Sequence, residues 1–148
     1  MAILKIRTQE DPVLRQKTKE IAKITKRQRL LAKDMLETMY DAKGVGLAAP
    51  QIGLSDRLVV IDVGDGPLVL FNPCVILCEG ENRDVEGCLS LPGRNEYITR
   101  ADKTTVSYIN LEGKKATITG SGLLARALQH EIDHLEGILF IDYLTKEN

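Results

Sequence analysis

The stretch Gln129-His130-Glu131-Ile132-Asp133-His134-Leu135-Glu136-Gly137 decides how this chain is read, because it holds both histidines of the sequence in the pattern H-E-x-x-H. Residues four apart on a helix are neighbours, with about 5–6 Å between their Cβ atoms, so both imidazoles can reach one ion. Glu131 stands beside the first imidazole, where a carboxylate can exchange protons with water at that ion without ligating the ion itself. Ser121 is the expected N-cap of this helix. Gly137 has the position and identity of the residue that ends it, followed by the apolar Ile138.

Two imidazoles do not complete a catalytic site, which takes three protein ligands and leaves a position open. The third donor is one of many carboxylates or one of three thiols, Cys74, Cys78 and Cys88. Cys88 lies in Glu86-Gly87-Cys88-Leu89-Ser90-Leu91-Pro92, where Gly, Ser and Pro predict an irregular segment able to present a side chain and free N–H groups together. Cys74 and Cys78 lie in an apolar run and are expected to be small buried hydrophobes. Glu86, so close to Cys88, is expected to be a buried carboxylate in need of a cation, with Arg100 and Arg126 available.

Working outward, Gly44-Val45-Gly46-Leu47-Ala48-Ala49-Pro50-Gln51-Ile52-Gly53 offers glycines that let a ligand approach the backbone and one amide donor, Gln51. Before it, Thr25 and Gln28 have capping-box spacing and open a helix with Leu31, Met35, Met39 and Ala42 on one face, which Gly44 is expected to end. Asp11-Pro12 predicts a short capped turn. Arg57–Val63 and Pro67–Phe71 flank Gly64-Asp65-Gly66 as a hairpin; Cys74–Cys78 is a third run, and Lys103–Asn110 with Lys115–Thr119 forms another pair. The fold class is α+β: a long N-terminal helix, antiparallel strands and a buried C-terminal helix that carries the metal motif. Residues 1–148 are read as one domain.

At 43% apolar and 28% charged residues the composition is that of an ordinary globular protein. A formal net charge of −1, without a basic stripe interleaved with aromatics, argues against nucleic-acid reading. Apolar runs are strand-length, so no membrane span is expected, and no signal-like apolar region opens the sequence. Three cysteines without such a signal predict free thiols and a cytoplasmic location.

Taken in order, G-V-G-L-A-A-P-Q-I-G, E-G-C-L-S-L-P and Q-H-E-I-D-H-L-E-G resemble the three signature motifs of the peptide deformylases. Asp11-Pro12-Val13-Leu14-Arg15 and Gly137–Leu144 resemble the same family. The short stretch from Gln51 to Cys88 is most similar to its compact bacterial class. The resemblance implies removal of the formyl group from N-formylmethionyl nascent peptides by a metal that is often Fe²⁺. It implies Cys88, His130 and His134 as metal ligands, Glu131 as acid and base, and Gln51 with the Leu89 N–H as donors to the formyl oxygen. The donor set itself also suits Zn²⁺, Ni²⁺ or Co²⁺. Gly46, Val45 and Leu123 are the expected substrate-binding residues, Leu123 because it lies two helical turns before His130. The ribosome near its exit tunnel is a further expected partner, although the sequence after Tyr143 lacks the extra C-terminal helix of many bacterial members. Two rival readings share the histidines: an H-E-x-x-H metallopeptidase, and a non-enzymatic structural zinc site made with Cys74 and Cys78.

Overall fold

A computed structural model describes residues 2–147 of the chain. Asp11 accepts from the Val13 N–H at 3.0 Å and opens a 3-10 turn over Pro12–Arg15, which buries Leu14. The Gln28 side chain accepts from the Thr25 N–H at 3.1 Å and closes the start of helix α1, Lys26–Asp41. Helix α1 is therefore the first helix but does not begin the chain. Its end also differs from expectation. Lys43, not Gly44, takes the left-handed turn, with φ 59°. The Lys43 N–H bonds to the Tyr40 carbonyl and the Gly44 N–H to that of Met39, the usual closure of a helix C-terminus. Gly44 is small for another reason: a Cβ there would come within 2.7 Å of the Leu89 side chain.

Strands β1 (Gly46–Ala48), β2 (Leu58–Ile61), β3 (Leu68–Glu79), β6 (Lys103–Ile109) and β7 (Lys115–Ser121) form one antiparallel sheet in the order β1-β2-β3-β6-β7. Successive side chains of a strand point to opposite faces. In β2, Leu58 and Val60 pack with Met35 and Met39 of α1. Val59 and Ile61 pack with Leu128, Ile132 and Leu135 of helix α2, Gly122–Leu135. Every β2 side chain is buried. Each such burial stabilises the fold by roughly 1.5–3 kcal/mol.

Three sequence expectations need correction. The runs Pro67–Phe71 and Cys74–Cys78 belong to a single strand, β3, which passes through Asn72 at positive φ with a register shift against β6. Cys74 and Cys78 are exposed, because β2 pairs with β3 only as far as Phe71 and the strand then runs beyond its covering layers. An apolar run reports strand propensity; it does not report what covers the strand. Third, the segment around Cys88 lies in a ladder, with its irregularity confined to a register shift between Gly87 and Cys88. Strands β4 (Asn82–Cys88) and β5 (Leu91–Arg100) form a separate hairpin, and Leu89-Ser90 is its turn.

Helix α2 thus carries its apolar side on the five-stranded sheet and turns Arg126 and His130 toward the hairpin. It is not the last helix, since the short α3 spans Asp142–Glu147. Gly137 ends α2 at φ 74°. The Gly137 N–H bonds to the His134 carbonyl at 3.1 Å and the Ile138 N–H to that of Asp133 at 2.9 Å. A Cβ on Gly137 would stand 2.5 Å from the Arg15 carbonyl oxygen. Backbone strain and a clash with fixed backbone therefore coincide here. Gly137→Ala is expected to lower unfolding stability by about 2 kcal/mol, read as a fall in the urea midpoint. An unchanged midpoint would remove Gly137 from the residues that position α2.

Candidate active site

One helical turn separates His130 and His134, and their Nε2 atoms stand 3.2 Å apart. Cys88, delivered from the end of β4, places Sγ 3.3 Å from His134 Nε2. The three donor atoms all lie within 4.8 Å of one another, and both histidines are buried. Ligand atoms about 2.0–2.3 Å from one tetrahedral ion would be separated by a little over 3 Å, so the arrangement fits a divalent cation. Among the described residues, Cys74 and Cys78 join no such cluster.

Glu86, also on β4, lies behind His130. Its Oε2 is 2.6 Å from His130 Nδ1, which leaves Nε2 to face Cys88 and His134. Arg100 grips the same carboxylate with two nitrogens, at 3.0 and 2.6 Å, and Arg126 adds a third bond at 2.9 Å. The fold uses both of the arginines that the sequence offers as cations. Burial works against charge on Glu86, but His130 and Arg100 outweigh it and hold its pKa well below the usual carboxylate range. A pKa depressed by folding contributes stability in full above the ordinary glutamate range, and that stability is lost only as the pH falls through the lower folded-state value. Arg100 also bonds Asp133 at 2.7 Å, and Asp133 accepts from the Tyr143 hydroxyl at 2.6 Å. Sequence reasoning assigned neither Asp133 nor Tyr143 a part, and only their closeness to His134 and Arg100 in the fold reveals it.

Burial pushes the Glu131 carboxyl up to about 7, with the charge of His130 opposing. Burial disfavours charge on His130 too, yet Glu131, Cys88 and Glu86 raise its pKa to about 10; burial and the His130 charge push His134 well down. Negative groups that favour a proton on His130 favour a divalent cation between the three donors still more, and the cation displaces that proton. Two buried atoms, Glu131 Oε1 and His134 Nδ1, have no hydrogen-bond partner among the described residues. Gly46 explains how the Glu131 carboxylate fits: a Cβ on Gly46 would lie 2.5 Å from Glu131 Oε2.

Gln51 is only 1% exposed. Its Oε1 accepts from the Ala48 N–H at 2.9 Å, which turns Nε2 toward Cys88 Sγ at 3.5 Å and Ser90 Oγ at 3.1 Å. Ser90, quoted in the second motif but given no role from sequence, is wholly buried and helps fix that amide. A cavity of about 390 Å³ opens over these groups, bordered by Val45, Gly46, Gln51, Cys88, Leu89 and Glu131. Leu123 must be set apart from the expected walls. It is 54% exposed and does not border the cavity. Seven residues do bring it to the face of His130, but also about 10 Å along the helix axis, beyond the cavity's reach.

Residues 3–148 match the family model described as polypeptide deformylase. A peptide deformylase of Desulfitobacterium hafniense is 54% identical over 146 residues, covering 99% of this chain and 97% of its own. A crystal structure of the Legionella pneumophila peptide deformylase superposes with a TM-score of 0.92 at 48% identity, over 95% of this chain and 85% of the other. That of the Ehrlichia chaffeensis enzyme, in complex with actinonin, gives 0.96 at 38% identity, over 99% and 91%. With motif order, site geometry, family model and relatives in agreement, the chain belongs to the peptide deformylases, metal-dependent hydrolases that remove the N-terminal formyl group from newly made polypeptides.

Proposed function

We propose that Cys88, His130 and His134 hold the divalent ion of this deformylase and that Glu131 moves the proton in the reaction. The observation that carries the assignment is the convergence of three buried or half-buried donors beside a buried carboxylate oxygen that lacks a partner. A divalent ion held by these three residues would supply Lewis-acid chemistry, making water acidic enough to attack near neutral pH and polarising the formyl carbonyl. Glu131 accepts the proton of the attacking water and then delivers it to the amine that leaves as formate is released. Burial raises the pKa of this carboxyl, the direction that makes a carboxylate a stronger base. Negative charge gathers on the formyl oxygen during attack. Gln51 Nε2 and the Leu89 N–H are the donors we assign to it; one well-placed donor of this kind is worth about 3–4 kcal/mol.

The formyl group has no side chain, so the wall can close tightly around it at Gly46 while Val45 and Leu89 receive the methionine. We take Fe²⁺ as the ion in the cell, with Zn²⁺, Ni²⁺ and Co²⁺ as substitutes acceptable to a thiolate and two imidazoles. We place the reaction in the cytoplasm, on N-formylmethionyl chains near the ribosomal exit tunnel. Free thiols at all three cysteines agree with a reducing compartment, and no described helix is long and apolar enough to cross a membrane.

Formate release from formyl-Met peptides by anaerobically purified protein, with metal analysis alongside, tests the assignment. Glu131→Gln is expected to retain one ion per chain while losing about 10²–10⁴ in kcat. Loss of the ion in that variant would make Glu131 a ligand and overturn its role as proton carrier. Glu86→Gln is expected to weaken metal retention by about 10–100-fold, because the partner that orients His130 is altered. The same change leaves Arg100 and Arg126 with one buried counter-charge fewer and should cost about 3–5 kcal/mol of stability. Competition with a chelator and denaturant unfolding read the two effects separately.

A further inference from the structure

Among the described residues, two that are not glycine hold a positive φ: Asn72 at 50° and Lys43 at 59°. Asn72 has its reason, since asparagine tolerates this region and its amide bonds the Ile21 backbone in both directions at 2.8 Å. Lysine has no such tolerance. The hydrogen bonds that close α1 come from the backbone N–H groups of Lys43 and Gly44, and a glycine at 43 would make them without strain. The side chain of Lys43 forms no ion pair among the described residues. The closure of α1 requires a left-handed residue here but not a lysine, which points to the side chain that position presents.

That side chain is exposed and borders the same cavity as Gln51, Cys88 and Glu131. Pro92 and Gly93 also border the cavity, whereas Arg94, the next residue of β5, does not and is paired with Glu96 at 3.1 Å. Glu131 is buried at the inner end. Among the residues that border the cavity, Lys43 is the exposed charged side chain. With the formyl group and the methionine side chain inside, the rest of a substrate must leave across this rim.

We propose that Lys43 is a specificity-determining residue: its ammonium favours N-formylmethionyl peptides that carry aspartate or glutamate in the first residues after methionine. The inference rests on the deformylation reading and adds a preference to it. A charge pair at an exposed rim contributes modestly and is screened by salt. The rival explanation is that Lys43 merely opposes the negative end of α1.

The test is kcat/KM for formate release from matched formyl-Met peptides bearing Glu, Gln or Lys at the second and third positions, at low and high salt. The Glu peptides are expected to exceed the Lys peptides by about 3–10-fold at low salt, with the ratio shrinking towards one at high salt. Lys43→Glu should reverse the order. Lys43→Gly should bring the ratio to about one without lowering Tm, because glycine accepts the left-handed turn. Equal kcat/KM for Glu and Lys peptides in the unaltered protein overturns the proposal and leaves deformylation standing. A Lys43→Gly variant with lower Tm and an unchanged ratio overturns it in favour of the helix-end role. Formate released from none of the peptides, Gln included, overturns the deformylation reading and this proposal with it.

Discussion

The carboxylate of Glu86 is the constraint to which the site answers. It is buried and charged, and a lone carboxylate taken out of water costs several kcal/mol even after relaxation. Two arginines and one imidazole surround it: Arg100 from β5, Arg126 and His130 from α2. Satisfying this one group therefore fixes the hairpin against the helix, the rotation of the helix about its axis, and the direction in which His130 presents its second nitrogen. No apolar contact could set that direction so sharply, because dispersion is non-directional and a bidentate guanidinium is not.

Backbone has to come close wherever this arrangement meets the rest of the fold, and glycine makes the room. Gly46 in β1 lets the Glu131 carboxylate lie where any Cβ would collide with it. Gly137 releases the chain from α2 against the carbonyl of Arg15, so the N-terminal turn packs directly on the end of the helix that bears the histidines. Apolar packing supplies most of the stability through the two faces of the β1-β2-β3 region. The polar network and the glycines supply the registration.

Local signals in the sequence carried far. The helix that carries H-E-x-x-H and its terminating glycine depend on contacts within a few residues, and both elements are found. The irregularity expected at Cys88 is present as a register shift between Gly87 and Cys88, but it sits at the end of a hairpin strand and not in a free loop. The short Gly/Ser/Pro cluster marked a turn correctly and hid the strands on either side of it, whose polar residues alternate poorly. Cys74 and Cys78 failed in the opposite direction: their run has strand character, but whether a layer covers a strand is decided by elements far away in sequence. Leu123 illustrates the limit of face arguments, which give the angle around a helix and say little about distance along it.

The electrostatics of the cluster explain why two carboxylates so near one another behave differently. Glu86 meets three cationic or donating groups and remains charged, and it holds its hydrogen-bond partner His130 in place. Glu131, one residue further along the helix, points instead into the cavity past Gly46, where burial raises its pKa towards neutrality. The i and i+1 positions of a helix face about 100° apart, so adjacent residues can meet one ion from its inner and its open side. His130 is turned against the arginine-backed carboxylate, and Glu131 lies beside Gly46 on the wall of the cavity. Helix geometry thus separates two neighbours in sequence: His130 shares Nδ1 with a buried ion network, and Glu131 keeps its carboxylate at the cavity wall, where the proton role proposed for it needs it.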